Sequence, residues 1–212
     1  MQRIAVIVAL LLVAYVVWLY GWRRPTGGLP ASPVVVSDEP VQEALDKPIT
    51  MHVERGKKKF VLELTHRFEI SGRVLSAEHY NVTWTNDFFD VDLGLVWGPR
   101  IEDLLERFHF HQDGRWLFWR SSEPVSDEDR AYVNAHSGNE HLIPKEGSRR
   151  VDHAIRWVEK GDTVRISGHL VVIRNSAWQE LARSSTSRDD TGGGACEIVY
   201  VEEIQIGKTV YR

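Results

Sequence analysis

The chain has 212 residues, with 30 acidic against 26 basic side chains, a formal net charge of −4 and a pI near 6.1. That balance argues against a nucleic-acid-binding surface, which is normally basic. A single cysteine, Cys196, excludes an intrachain disulfide.

The run from Ile4 to Trp22, IAVIVALLLVAYVVWLYGW, carries no charge and no proline. As a helix it would be about 28 Å long, near the hydrocarbon thickness of a bilayer of about 30 Å. Arg3 precedes it, and Trp18, Tyr20, Trp22, Arg23 and Arg24 crowd its far end as an interfacial belt does. No small-x-small cleavage site follows, so the segment reads as an uncleaved anchor. The expected organisation is therefore a membrane anchor at 1–24, a proline-rich stalk at 25–49 and a β-rich globular domain at 50–212. The opening resembles a secretory signal, which places the domain on the periplasmic side of a bacterial-type inner membrane. The cytoplasmic side stays open, because the flanking charges nearly tie.

The stalk holds five of the eight prolines: Pro25, Pro30, Pro33, Pro40 and Pro48. Within it, SDEPVQEALDKP has the signature of a short helix capped by Ser37. From Lys59 the pattern switches to a period of two, with Phe60, Leu62, Leu64, Phe68 and Ile70 on one face and His66 in phase. Gly72 interrupts this strand as a bulge or bend does. Phe89, Val91, Leu93, Leu95 and Trp97 alternate with outward-facing Asp90 and Asp92 in a second strand. Pro99 opens a short helix through Phe108. HFHQDGRWLFW predicts a hairpin turning at Asp113-Gly114. Ser126 caps a second helix, RAYVNAH, that Gly138 is placed to end. VDHAIRWVEKGD is ambiguous in length. TVRISGHLVVI is a further strand, and the polar SSTSRDDTGGGACE runs into closing strands around Ile198–Val201 and Ile204–Val210. The fold class that follows is a single transmembrane helix plus a mainly β (α+β) domain. Its glycine-bent strands resemble those of an OB-like curved barrel with two or three short helices.

Chemistry concentrates in two places. Gly192, Gly193 and Gly194 free the backbone to aim N–H groups at an anion or oxyanion, and Arg188, Asp190 and Thr191 complete a ligand-binding loop beside Cys196. HSGNEH supplies His136 and His141, imidazoles able to lower a thiol pKa. The alternative is a disordered loop with a small buried cysteine. His109 and His111 share one strand face and are weak metal candidates; no cofactor is expected.

Two functions compete. The first is a non-enzymatic, single-pass membrane-anchored domain that binds or organises a protein partner at the cell envelope, with lipid as the partner of residues 4–22. The second is a thiol-dependent hydrolase or transpeptidase on envelope peptide or acyl bonds, with Cys196 as nucleophile and His141 or His136 as base.

Overall fold

A computed structural model of the chain describes residues 6, 10–13, 15, 25–55, 58–80, 89, 91–187 and 196–212. Its strands in chain order are β1 (Leu29–Pro30), β2 (Val41–Arg55), β3 (Lys58–His79), β4 (Val91–Val96), β5 (His109–Asp113) and β6 (Trp116–Arg120). They continue as β7 (Ser137–Pro144), β8 (Thr163–Asn175), β9 (Glu180–Arg183), β10 (Glu197–Ile206) and β11 (Thr209–Tyr211). Three helices intervene: α1 (Ile101–Arg107), α2 (Asp127–Ala135) and α3 (Arg149–Trp157). Ser126 and Ser148 accept hydrogen bonds from Asp129 N–H and Val151 N–H, capping α2 and α3 as short side-chain oxygens do.

Nine strands join one mixed sheet in the order β1-β11-β10-β7-β4-β3-β8-β9, with β2 on β3 and an additional ladder between β10 and β8. The additional ladder curls the sheet back on itself. β7 and β10 run parallel; the other ladders of this sheet are antiparallel. β5 and β6 form a separate hairpin.

The long strand β3 serves two cores. Its register against β8 shifts between Leu64 and His66, and a one-residue bulge exchanges the two faces of a strand. Phe60, Leu62 and Leu64 accordingly pack with Val171, Ile173, Ile198 and Tyr200. Phe68 and Ile70 pack instead with Leu93, Leu95, Leu142, Ile166 and Val199, under the Val151, Ala154 and Ile155 face of α3. A third cluster, built from Leu75, Val96, Leu104, Phe108 and Val133, lays α1, α2 and the hairpin over the other face of β4.

Several expectations are corrected. Among the described residues no helix is long and apolar enough to cross a membrane. The run from Ile4 to Trp22 is helical at Val6, Leu10–Val13 and Tyr15, and its other residues lie outside the described ones. The single transmembrane helix, the lipid partner of residues 4–22 and the single-pass inner-membrane location with a periplasmic domain therefore lose their basis. The anchored-partner function falls with them. The small OB-like barrel gives way to a mainly β domain with a nine-stranded sheet of mixed topology. The short helix expected at 37–48 is also absent: Val41–Arg55 is β2, because pairing with β3 outweighs weak local helix preference.

Candidate functional site

The site is organised by the hairpin turn. Gly114 adopts φ +58°, the left-handed conformation that suits glycine, and lets β5 fold back on β6. Alternation then divides the hairpin. Phe110, Leu117 and Trp119 face the third cluster, with Trp119 edge-on to Phe108 at 5.2 Å. Trp116 and Phe118 stay exposed. Gly94 on β4 makes room for this layer: a Cβ there would meet Leu117 Cδ1 at 2.8 Å and Ser76 Oγ at 2.6 Å.

The turn is pinned above Asp92. Arg115 Nη1 donates to both carboxylate oxygens of Asp92, at 3.1 and 3.0 Å. His141, directly opposite Asp92 in the β4–β7 register, places Nδ1 2.8 Å from Asp92 Oδ2. The Arg115 guanidinium lies 4.1 Å from the ring centre of Phe89 and 4.3 Å from that of Tyr80, and Phe89 stacks on His141 at 4.8 Å. Cation–π contacts of this kind contribute about 0.5–2 kcal/mol each.

Main-chain oxygens of the turn are also held. Tyr80 Oη donates to the Gly114 carbonyl. Asn139 Nδ2 donates to the Arg115 carbonyl at 2.9 Å, and its Oδ1 accepts from Gln112 Nε2 at 3.0 Å. Gln112 Oε1 in turn accepts from Ser76 Oγ at 2.6 Å.

The electrostatics follow from this burial. Asp92 is fully buried, His141 is 5% exposed, and Glu140 and Glu197 are buried opposite each other on β7 and β10. Burial pulls the Arg115 pKa down against the opposing pull of Asp92. Burial first, then the Asp92 charge, raises the Tyr80 phenol. Cys196 is pushed up to about 12, by burial first and then by the charges of Glu197, Asp92 and Glu140.

These facts correct the thiol-enzyme reading. The Cys196 thiol donates to the Arg115 carbonyl at 3.6 Å, and its raised pKa keeps it protonated where a nucleophile must be a thiolate. His141 directs Nδ1 at Asp92. His136 belongs elsewhere: as the C-cap of α2 it stacks on Tyr132 at 3.9 Å, with Nε2 2.9 Å from Glu39 Oε1. Among the described residues no Cys–His catalytic pair is formed. Arg188, Asp190, Thr191, Gly192, Gly193 and Gly194 lie outside the described residues. His109 and His111 occupy the outer face of β5, where His111 stacks on Phe118 at 5.3 Å. Among the described residues no group of three or more His, Cys, Asp or Glu side chains is arranged to hold a metal.

Sequence reasoning missed Arg115, Tyr80 and the inward role of Asp92. The only signal available was a carboxylate flanked on both sides by core residues in VDLGLV, together with an arginine placed in a glycine turn. The chain matches no protein-family model, no curated protein and no solved structure.

Proposed function

We propose that the domain is a binding module that receives an uncharged oxygen acceptor, an amide carbonyl being the simplest, at Arg115. The observation that carries this reading is Arg115 Nη2, which is buried and has no hydrogen-bond partner among the described residues. A buried N–H left unpaired costs about 1–3 kcal/mol, and an arriving oxygen recovers it. The guanidinium is held for that role by Asp92 and by the Tyr80 and Phe89 rings.

Charge decides between a neutral and an anionic ligand. Arg115 supplies one positive charge, against the three carboxylates Asp92, Glu140 and Glu197 whose charges reach Cys196. An incoming anion meets net repulsion, whereas a neutral carbonyl does not. NMR titration with acetamide, acetate and methylammonium ions tests this. Acetamide should shift the Arg115 and His141 side-chain resonances, and acetate should not. Arg115→Lys keeps a charge toward Asp92 but loses the second N–H edge, and should abolish the acetamide response. Acetate binding more tightly than acetamide, or a response untouched by Arg115→Lys, would overturn the proposal.

A further inference from the structure

A second site lies on the outer face of the sheet, away from Arg115. β2, β3, β8 and β10 enclose an open hollow of about 540 Å³ lined by Val41, Glu43, Arg67, Phe68, Glu69, Ser167, Gly168, His169 and Glu202. That volume falls in the usual range for small-molecule sites, about 300–1,000 Å³. Gly168 leaves the floor open because β8 and β10 cross there too closely for a side chain: a Cβ would run into the Tyr200 carbonyl.

The charges around the hollow are arranged in an unusual way. Glu43 and Arg67 sit directly opposite each other on β2 and β3, where unlike charges normally close into a cross-strand pair. Neither has an ion-pair partner among the described residues. Arg67 is opposite His169 on its other side, and His169 Nδ1 lies 3.6 Å from Glu202 Oε2. Glu69 is already engaged, accepting from Ser167 Oγ at 2.8 Å. The hollow thus presents an open guanidinium between carboxylates on both sides, over the apolar atoms of Val41 and Phe68.

We infer that this hollow binds a short zwitterionic peptide, its carboxylate on Arg67 and its ammonium on Glu202. Adjacent strands lie about 4.8 Å apart, so Arg67 and Glu202, two strand intervals apart, are separated by roughly 10 Å. A tripeptide spans that distance between its termini. The carboxylates outnumber the cation, so a peptide with only its amino end free keeps some affinity. One with only its carboxylate free is repelled.

Isothermal titration calorimetry on the full chain tests the inference with trialanine, N-acetyl-trialanine, trialanine amide and N-acetyl-trialanine amide. Trialanine should bind at least tenfold more tightly than any blocked form, and the acetylated acid should bind most weakly. Arg67→Gln should erase the advantage of trialanine over its amide. Glu202→Gln should erase its advantage over the acetylated form. Arg67 forms no ion pair among the described residues and Glu202 meets His169 only at 3.6 Å, so circular dichroism should show both variants folded. Equal affinity for all four peptides, no binding of trialanine, or unchanged binding in Arg67→Gln would each overturn it.

Discussion

Asp92 is fully buried although it lies on the face of β4 opposite the main core. Alternation along VDLGLV assigns it correctly to that face but says nothing about what covers the face. The cover is Arg115, carried in by a hairpin more than twenty positions later. This explains how far the site was legible. Cys196 and His141 stood out because their side chains carry reactive chemistry. Their real partners, a turn carbonyl and a carboxylate, depend on a non-local fold-back that no local pattern encodes. Asp92→Asn tests the arrangement by leaving the guanidinium against a neutral amide. Breaking one side of a buried pair costs about 3 kcal/mol or more, and the partial exposure of Arg115, 20% of its side chain, places the loss at the lower end. Urea unfolding should show a lowered midpoint with an unchanged m-value. A midpoint within error of the parent protein would mean that Arg115 is not held by this charge.

Elements were more legible than sites. Period-two alternation located β3, β4, β8 and the β5–β6 hairpin, and Ser126 marked the start of α2, because these signals are local. β2 was missed because its strand state comes from pairing with β3. The division of β3 between two cores was missed because a bulge at Thr65 leaves the hydrophobic pattern unbroken. Gly72 and Gly168 were read only as bends, yet both mark close approaches of backbone. A Cβ at Gly72 would sit 3.0 Å from the Val96 carbonyl oxygen, which a small shift accommodates. At Gly168 the obstacle is the Tyr200 carbonyl on β10, and relief requires opening the ladder that curls the sheet. Gly168→Ala should therefore destabilise far more than Gly72→Ala, by about 2 kcal/mol or more. Amide exchange should rise along Val199–Val201 while β5 and β6 keep their protection. Equal melting temperatures for the two variants would show that the crossing is loose.

Across the molecule, half-buried ionisable groups bound the pH range of stability on both sides. Burial, reinforced by Arg67 and opposed by Glu202, holds His169 below its ordinary value of 6.5. Below pH 6.5 the unfolded chain therefore takes up a proton that the folded one resists, and stability falls as pH drops. Cys196 acts with the opposite sign. Its ordinary value is 9.0 and its folded value about 12, so above pH 9 the unfolded chain releases a proton that the folded chain retains. Stability then falls as pH rises, by up to about 1.4 kcal/mol per pH unit for this one group. Tyr80, raised from 10.0 in the same cluster, steepens the alkaline limb further. Urea midpoints measured from pH 5 to 10.5 should therefore form a plateau between about 6.5 and 9 with a decline on each side. His169→Gln should flatten the acid limb between pH 5 and 6.5 and leave the alkaline one alone. Cys196→Ala should do the reverse above pH 9. An alkaline limb that survives unchanged in Cys196→Ala would place the thiol in contact with solvent. The burial that denies it a nucleophile's role, and the close packing of the turn against β10, would then both fail.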